Sequence, residues 1–128
     1  MIILDTSAVV DLAGNKPWAI KAVANQSFFV SVVTLAEVHI GTKLSKNKTE
    51  KVALLLEKLF ENKLAEVLNI DAKIAYRFAT LQSELLNKGL PLAPLDGFIA
   101  ATALEYKAAL VTSDSDFKRV KQLKLITP

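Results

Sequence analysis

The sequence predicts an α/β protein, a three-layer α/β/α sandwich with a parallel central sheet. Two observations carry that expectation. Short runs of β-forming residues alternate with segments of helical period along the whole chain, and the first of these runs, residues 1–5, is apolar up to Asp5, as in a buried strand. The size agrees: 128 residues, 52% of them apolar, with a mean hydropathy of +0.32, are enough for one domain over residues 1–128 that buries about two-thirds of its unfolded surface.

Taken in order, residues 1–5 read as a buried strand ending in Asp5, and a helix follows at once from Thr6 to Ala13, closed by Gly14-Asn15. Pro17 opens a second helix to about Ala24, since proline is suited to the first helical position. Phe28 to Ser31 is a second strand, and a helix runs from about Thr34 to Leu44. From Asn47 to Asn62, apolar residues at 52, 55, 56, 59 and 60 mark another helix. Glu66 to Leu68 is a short strand. Asp71 to Lys88 is a long amphipathic helix with Ile74, Phe78, Leu81 and Leu85 on one stripe, ended by Gly89. After Pro91 and Pro94, Leu95 to Tyr106 is helical, Ala109 to Thr112 a strand, Asp116 to Lys121 a short helical turn, and Leu123 to Ile126 a final edge strand.

Composition removes several chemistries. There is no cysteine, which excludes disulfides, zinc–thiolate sites and thiol nucleophiles and fits a reducing cytoplasm. A single histidine rules out two-histidine acid–base chemistry, so catalysis falls to carboxylates, hydroxyls, lysines or a hard metal ion. No apolar run approaches the ~18 residues of a membrane span, and Met-Ile-Ile-Leu-Asp is not the start of a signal peptide. The net charge of +3 permits an anionic partner without requiring one.

Open parallel sheets bind ligands at the carboxyl ends of their strands. Acids gather there: Asp5 ends the first strand, Glu37 lies in the first turn after the second, Asp96 opens the helix after Pro94, and Asp114 and Asp116 follow the Ala109–Thr112 strand. Each has an ordinary structural role open to it. Asp5 can cap the helix at Thr6, Thr34-Leu-Ala-Glu37 matches a capping box, Asp96 suits a helix N-terminus, and Asp114 suits a turn. Together they repel one another unless something positive sits between them, and no lysine or arginine lies within two residues of Asp5, Glu37, Asp96 or Asp114. A divalent cation resolves the conflict, and an all-oxygen site suits Mg²⁺ or Mn²⁺.

Four segments occur in order: Ile3-Leu4-Asp5-Thr6-Ser7, Val33-Thr34-Leu35-Ala36-Glu37, Leu95-Asp96-Gly97-Phe98-Ile99-Ala100-Ala101-Thr102-Ala103, and Leu110-Val111-Thr112-Ser113-Asp114-Ser115-Asp116-Phe117. The set resembles the PIN-domain ribonucleases, most closely the VapC-type toxins of prokaryotic toxin–antitoxin pairs, along the whole chain. The resemblance implies metal-dependent endonucleolytic hydrolysis of RNA, a cytoplasmic location, a homodimer, and inhibition by a cognate VapB-type antitoxin. Carried over to this chain, it makes Asp5, Glu37, Asp96 and Asp114 the catalytic acids. Mg²⁺ or Mn²⁺ held by Asp5, Asp96 and Asp114 would activate water, Asp116 would be a further metal-binding acid, and Glu37 would orient the nucleophile or act through the metal's waters. Ser7 and Thr112 would line the site, and cleavage would leave a 5′-phosphate and a 3′-hydroxyl. Gly97 departs from the pattern, standing where a better helix former is usual.

Other features weigh less. His39 sits about 200° round the helix from Glu37 and is read as a surface or packing residue. Lys43, Lys46, Lys48 and Lys51 form one basic cluster, read as a solvated face, and Lys118, Arg119, Lys121 and Lys124 a second. Lys118 and Arg119 directly follow the Asp114–Asp116 loop and are candidates to hold RNA phosphates. Trp18, Leu12, Val23 and the 52–60 stripe either join the core or line an apolar groove for the antitoxin. A phosphoacceptor receiver domain is excluded because Asp5 is followed by Thr6 and Ser7 rather than an acidic partner, and acids stand where a late lysine is needed. A phosphohydrolase with an aspartate nucleophile would need a second Asp at Ser7. The rival that remains is a non-catalytic PIN-type binding module, in which loss of acids would be expected; this chain keeps all four.

Overall fold

A computed structural model describes residues 1–44 and 48–128, together with the side chains outside 45–49. The elements follow in the order β1 (Ile2–Leu4), α1 (Thr6–Ala13), α2 (Pro17–Val23), β2 (Phe28–Ser31), α3 (Val32–Leu44), α4 (Lys48–Glu61), β3 (Ala65–Leu68), α5 (Ala72–Asn87), α6 (Pro94–Glu105), β4 (Ala109–Val111), a 3₁₀ turn (Ser115–Arg119) and β5 (Leu125–Ile126). The strands form one all-parallel sheet in the order β3-β2-β1-β4-β5.

Alternation along the strands divides the core. Ile2 and Leu4, Phe28 and Val30, and Ala109 and Val111 pack on one face with Ala8, Val9, Val52 and Leu56 of α1 and α4. Ile3 and Leu110 point the other way, toward Leu81 and Leu85 of α5, Ile99, Ala100 and Ala103 of α6, and Phe117. This is the predicted sandwich, with helices on both faces. The sequence of connections moves outward from β1 through β2 to β3, then resumes on the opposite side with β4 and β5. The switch point therefore lies between β1 and β4, and the crevice beyond their carboxyl ends is where such sheets bind ligands.

Several boundaries differ from the sequence expectation. Helix α3 starts at Val32, two residues early, because the Ser31 hydroxyl accepts the Val33 N–H at 3.1 Å and so caps the helix immediately after the strand. The Thr34–Glu37 capping box therefore does not form; Thr34 lies inside the helix and is fully buried. The predicted turn of helix at Asp116–Lys121 is a 3₁₀ turn one residue earlier, and β5 is confined to Leu125–Ile126, since Leu123 instead donates its N–H to Val120 and buries its side chain. The predicted Asn47 start of the fourth helix and the Lys46 of the first basic cluster lie outside the described residues.

Helix α6 carries one of the acids, and its position is set by small residues. Ile99, Ala100, Ala101, Thr102 and Ala103 are all inaccessible to solvent. Gly97 meets α5 so closely that a Cβ there would stand 2.5 Å from Cε1 of Phe78, whose ring stacks on Phe98 with centroids 4.0 Å apart. The glycine that departs from the usual pattern is thus required by close approach. Gly97→Ala should lower stability by about 1–3 kcal/mol through overpacking, despite the helix-propensity gain. A lower urea midpoint measures this, and Phe78→Leu should recover part of the loss in the double variant.

Candidate active site

Asp5 stands at the end of the central strand, its own N–H still paired to Val111 of β4 at 3.1 Å. Its side chain is 3% exposed, and a buried carboxylate needs several donors. Oδ1 accepts the Ser7 hydroxyl at 2.7 Å and the Ala8 N–H at 2.9 Å, so Asp5 is the N-cap of α1 as the sequence suggested. Oδ2 accepts the Thr112 hydroxyl at 2.6 Å. The same two hydroxyls fasten the loop after β4: Ser7 Oγ accepts the Ser113 N–H at 3.1 Å, and Thr112 Oγ1 accepts the Asp114 N–H at 3.0 Å. Asp114 Oδ1 in turn accepts the Asp116 N–H at 2.9 Å, the turn role expected of it. Burial still raises the Asp5 pKa above the ordinary 3.8, against the lowering effect of its hydrogen bonds, and the nearby Asp114 charge adds to the rise.

Glu37 reaches this rim from α3. Its Oε1 accepts the Thr6 hydroxyl at 2.7 Å, with the buried Thr34 Oγ1 a more distant alternative acceptor at 3.3 Å. Thr6 is a site residue that the sequence reading missed. The signal was there, since Thr6 adjoins Asp5 and Thr34 lies one turn from Glu37, but their meeting across two helices has no local pattern. Asp96 lies in the first turn of α6 and accepts no hydrogen bond among the described residues. Its pKa is raised to about 6, first by burial, then by the charges of Asp114, Glu37, Asp5 and Asp116. The other four acids thus all act electrostatically on Asp96 at the carboxyl end of the sheet.

Among the described residues, neither ion pair involves Asp5, Glu37, Asp96 or Asp114; they join Arg77 to Glu105 and Arg119 to Asp116. Asp116 is half exposed at the outer rim, with Arg119 Nη2 3.2 Å from its Oδ1, while Arg119 Nη1 donates to the Pro91 carbonyl at 2.7 Å. Lys118 is exposed beside them. His39 is exposed on α3, in keeping with its expected surface role. The donors available to a metal are thus carboxylates and hydroxyls, the set that suits a hard cation. Among the described residues, no three histidine, aspartate or glutamate side chains are arranged so as to hold a metal ion together. Mg²⁺ commonly takes only one or two protein carboxylates and keeps several of its waters, so an ion here would rest on fewer than three direct protein ligands.

The residues offered by the sequence either to the core or to an apolar groove divide between the two, and Leu12, Val23 and Leu59 both pack on the core and line a cavity. Leu12, Ile20, Val23, Phe28, Leu55, Leu59 and Leu64 line a cavity of about 570 Å³ between α1, α2 and α4. Val52 and Leu56 belong to the core instead, and Trp18 packs on its edge while its indole N–H donates to Asp11 at 3.0 Å.

The raised Asp96 pKa has a defined consequence for the metal-free fold. Between about pH 4 and 6 the folded carboxyl holds its proton while the unfolded one releases it, so stability falls as pH rises through that window. Asp96→Asn should flatten this fall and leave the metal-free protein about 1–2 kcal/mol more stable at pH 7, as read by urea unfolding across the range.

The comparisons agree with this geometry. The PIN domain model matches residues 2–123. Ribonuclease VapC2 of Rickettsia felis is 33% identical over 102 residues, which span 79% of this chain and 74% of that protein. Ribonuclease VapC4 of Mycobacterium tuberculosis is 33% identical over 104 residues, 81% of this chain and 79% of that one. A crystal structure of VapBC2 from Rickettsia felis bound to a DNA fragment from their promoter superposes with a TM-score of 0.81 at 30% identity, covering 98% of this chain and 97% of that one. FitAcB from Neisseria gonorrhoeae gives 0.79 at 26% identity, with 100% and 98% covered. The five-stranded parallel sheet, the acids at its switch point and these likenesses together place the chain in the PIN-domain family, among the VapC-type ribonucleases.

Proposed function

We propose that this chain is an endoribonuclease toxin that hydrolyses RNA phosphodiester bonds with Mg²⁺ or Mn²⁺ held among Asp5, Asp96 and Asp114. The observation that carries this reading is Asp96: a carboxyl without a basic partner, pushed to about 6 by burial and by four other acids around the same crevice. Such a cluster is a poor structural device and a good cation site. A bound ion of this kind supplies water activation and charge stabilisation at the scissile phosphate.

The chain's own residues do the rest. Ser7, Thr112 and the Ala8 N–H occupy three of the roughly four acceptor positions of Asp5, fixing its plane and leaving about one for a ligand. Thr112 also holds the Asp114 backbone, so the two acids on either side of the switch point are set relative to each other by one hydroxyl. Glu37, tied through Thr6, keeps acceptor capacity to orient the attacking water. Asp116, committed in part to Arg119, lies further out and serves the rim of the site. Lys118 and Arg119 meet the phosphates of the RNA. Hydrolysis on this plan yields a 5′-phosphate and a 3′-hydroxyl.

The partner in this reading is a VapB-type antitoxin, supported by the complexes seen among the structural relatives and by the apolar groove between α1, α2 and α4. A homodimer and a cytoplasmic location belong to the same proposal; no described helix is long and apolar enough to cross a membrane.

The test is cleavage of total prokaryotic RNA by antitoxin-free protein, with ends mapped. Discrete cuts bearing 5′-phosphates are expected in Mn²⁺ or Mg²⁺, absent in EDTA, and reduced at least a hundredfold in identically purified Asp5→Asn and Asp96→Asn. Thr112→Val should fold and lose about 10–100-fold in activity, the usual cost of removing a group that orients a metal ligand. Asp96→Asn cutting at the parental rate would remove the acid site from the account, and folded, metal-bound protein that cuts nothing would favour the binding-module alternative.

A further inference from the structure

We propose that the groove between α5 and the segment after the 3₁₀ turn is the track along which an RNA strand extends from the acid cluster, its phosphates held by Lys88, Arg119 and Lys121. The inference rests on the ribonuclease reading of the acids and adds a path to it. The groove encloses about 340 Å³ and is lined by Leu81, Glu84, Leu85, Lys88, Arg119 and Lys121, with Gln122.

Three features carry the assignment. The first is continuity with the site. Arg119 lines the groove and also pairs with Asp116 at 3.2 Å, and Asp116 is one of the acids whose charge is felt at Asp96. Its grip on the Pro91 carbonyl holds the guanidinium between the loop before α6 and the 3₁₀ turn, which leaves further N–H donors for a phosphate. The second is charge: Lys88, Arg119 and Lys121 face Glu84 in the lining, and with Arg119 paired to Asp116 the two lysines are the cations without an ion-pair partner there. The adjoining cavity on α5 is balanced by contrast, with Lys73 and Arg77 against Glu84 and Glu105, and Arg77 is already paired to Glu105 at 2.7 Å. The third is chemistry. Lys88 and Lys121 are exposed point charges over buried Leu81 and Leu85, an arrangement that grips a backbone without reading bases.

The experiment measures binding of a labelled twenty-nucleotide RNA over a range of salt, in Asp96→Asn protein so that cleavage does not compete. Lys88→Gln/Lys121→Gln should weaken binding at least tenfold at moderate salt. It should also make the slope of log affinity against log salt shallower by about 1.4, since each single-strand phosphate contact contributes roughly 0.7. Lys88→Arg/Lys121→Arg should retain both. Lys63→Gln/Lys107→Gln removes the same charge from the turns that lead into β3 and β4, at the amino ends of the strands and away from the acids, and should change neither. With the acids intact, the Gln pair should raise KM for the long RNA while leaving kcat on a four-nucleotide RNA unchanged. Unchanged affinity and slope in the Gln pair, or an equal loss in Lys63→Gln/Lys107→Gln, would overturn the track. Parent protein that cuts neither RNA, with the binding loss still present, would overturn the ribonuclease reading and leave the track supported.

Discussion

A carboxylate buried at the end of the central strand is the constraint around which the rest of this molecule is arranged. Asp5 is almost out of reach of solvent, yet it accepts only neutral donors: two hydroxyls and one backbone N–H. Those donors come from α1 and from the end of β4, so the helix start, the β1–β4 pairing and the loop bearing Asp114 are tied through one side chain. Each hydroxyl donates to Asp5 and accepts a backbone N–H from the following loop, which orders a segment that would otherwise have unpaired donors next to a crevice.

The second constraint acts against the first. Asp96 is brought to the same crevice by α6, the helix most deeply embedded in the core, and the closeness of α6 to α5 depends on the missing side chain at Gly97. The packing is favourable and the electrostatics are not: burial first, and then the charges of the neighbouring acids, raise the affinity of Asp96 for a proton, and no basic residue is paired to Asp5, Glu37, Asp96 or Asp114 among the described residues. In the function proposed above, a cation relieves this repulsion within an otherwise well-packed sandwich.

The fold was legible because its signals are local. Apolar β-rich runs, Pro17 at the first turn of α2 and Gly89 in the left-handed conformation after α5 each place an element without tertiary information, whereas Pro94, read as a loop residue, is the first residue of α6. The acids were legible because topology alone sends every strand end to one rim. What escaped the sequence was lateral. Ser31 capping α3 at once displaced the Thr34–Glu37 capping box, and Glu37 turned instead to Thr6 on another helix. The guanidinium of Arg119 is held between Asp116 and the carbonyl of Pro91, a residue 28 positions away, a tether that spacing within the 3₁₀ turn does not show. At the close of α1 the left-handed residue is Asn15 rather than Gly14, a choice that a Gly-Asn pair leaves open. Such contacts depend on register between elements, which spacing within one element does not encode.

The central claim is that the acid cluster is a cation site whose repulsion the ion relieves. Thermal unfolding of the parent and of Asp96→Asn across a Mn²⁺ titration at neutral pH tests it directly, because a ligand that binds only the folded state raises the midpoint in proportion to ln(1 + [L]/Kd). The account predicts that the metal-free parent melts below Asp96→Asn, that Mn²⁺ raises the parent's midpoint progressively, and that the variant responds far less. A parent indifferent to millimolar Mn²⁺, or a variant that gains as much as the parent, would contradict it.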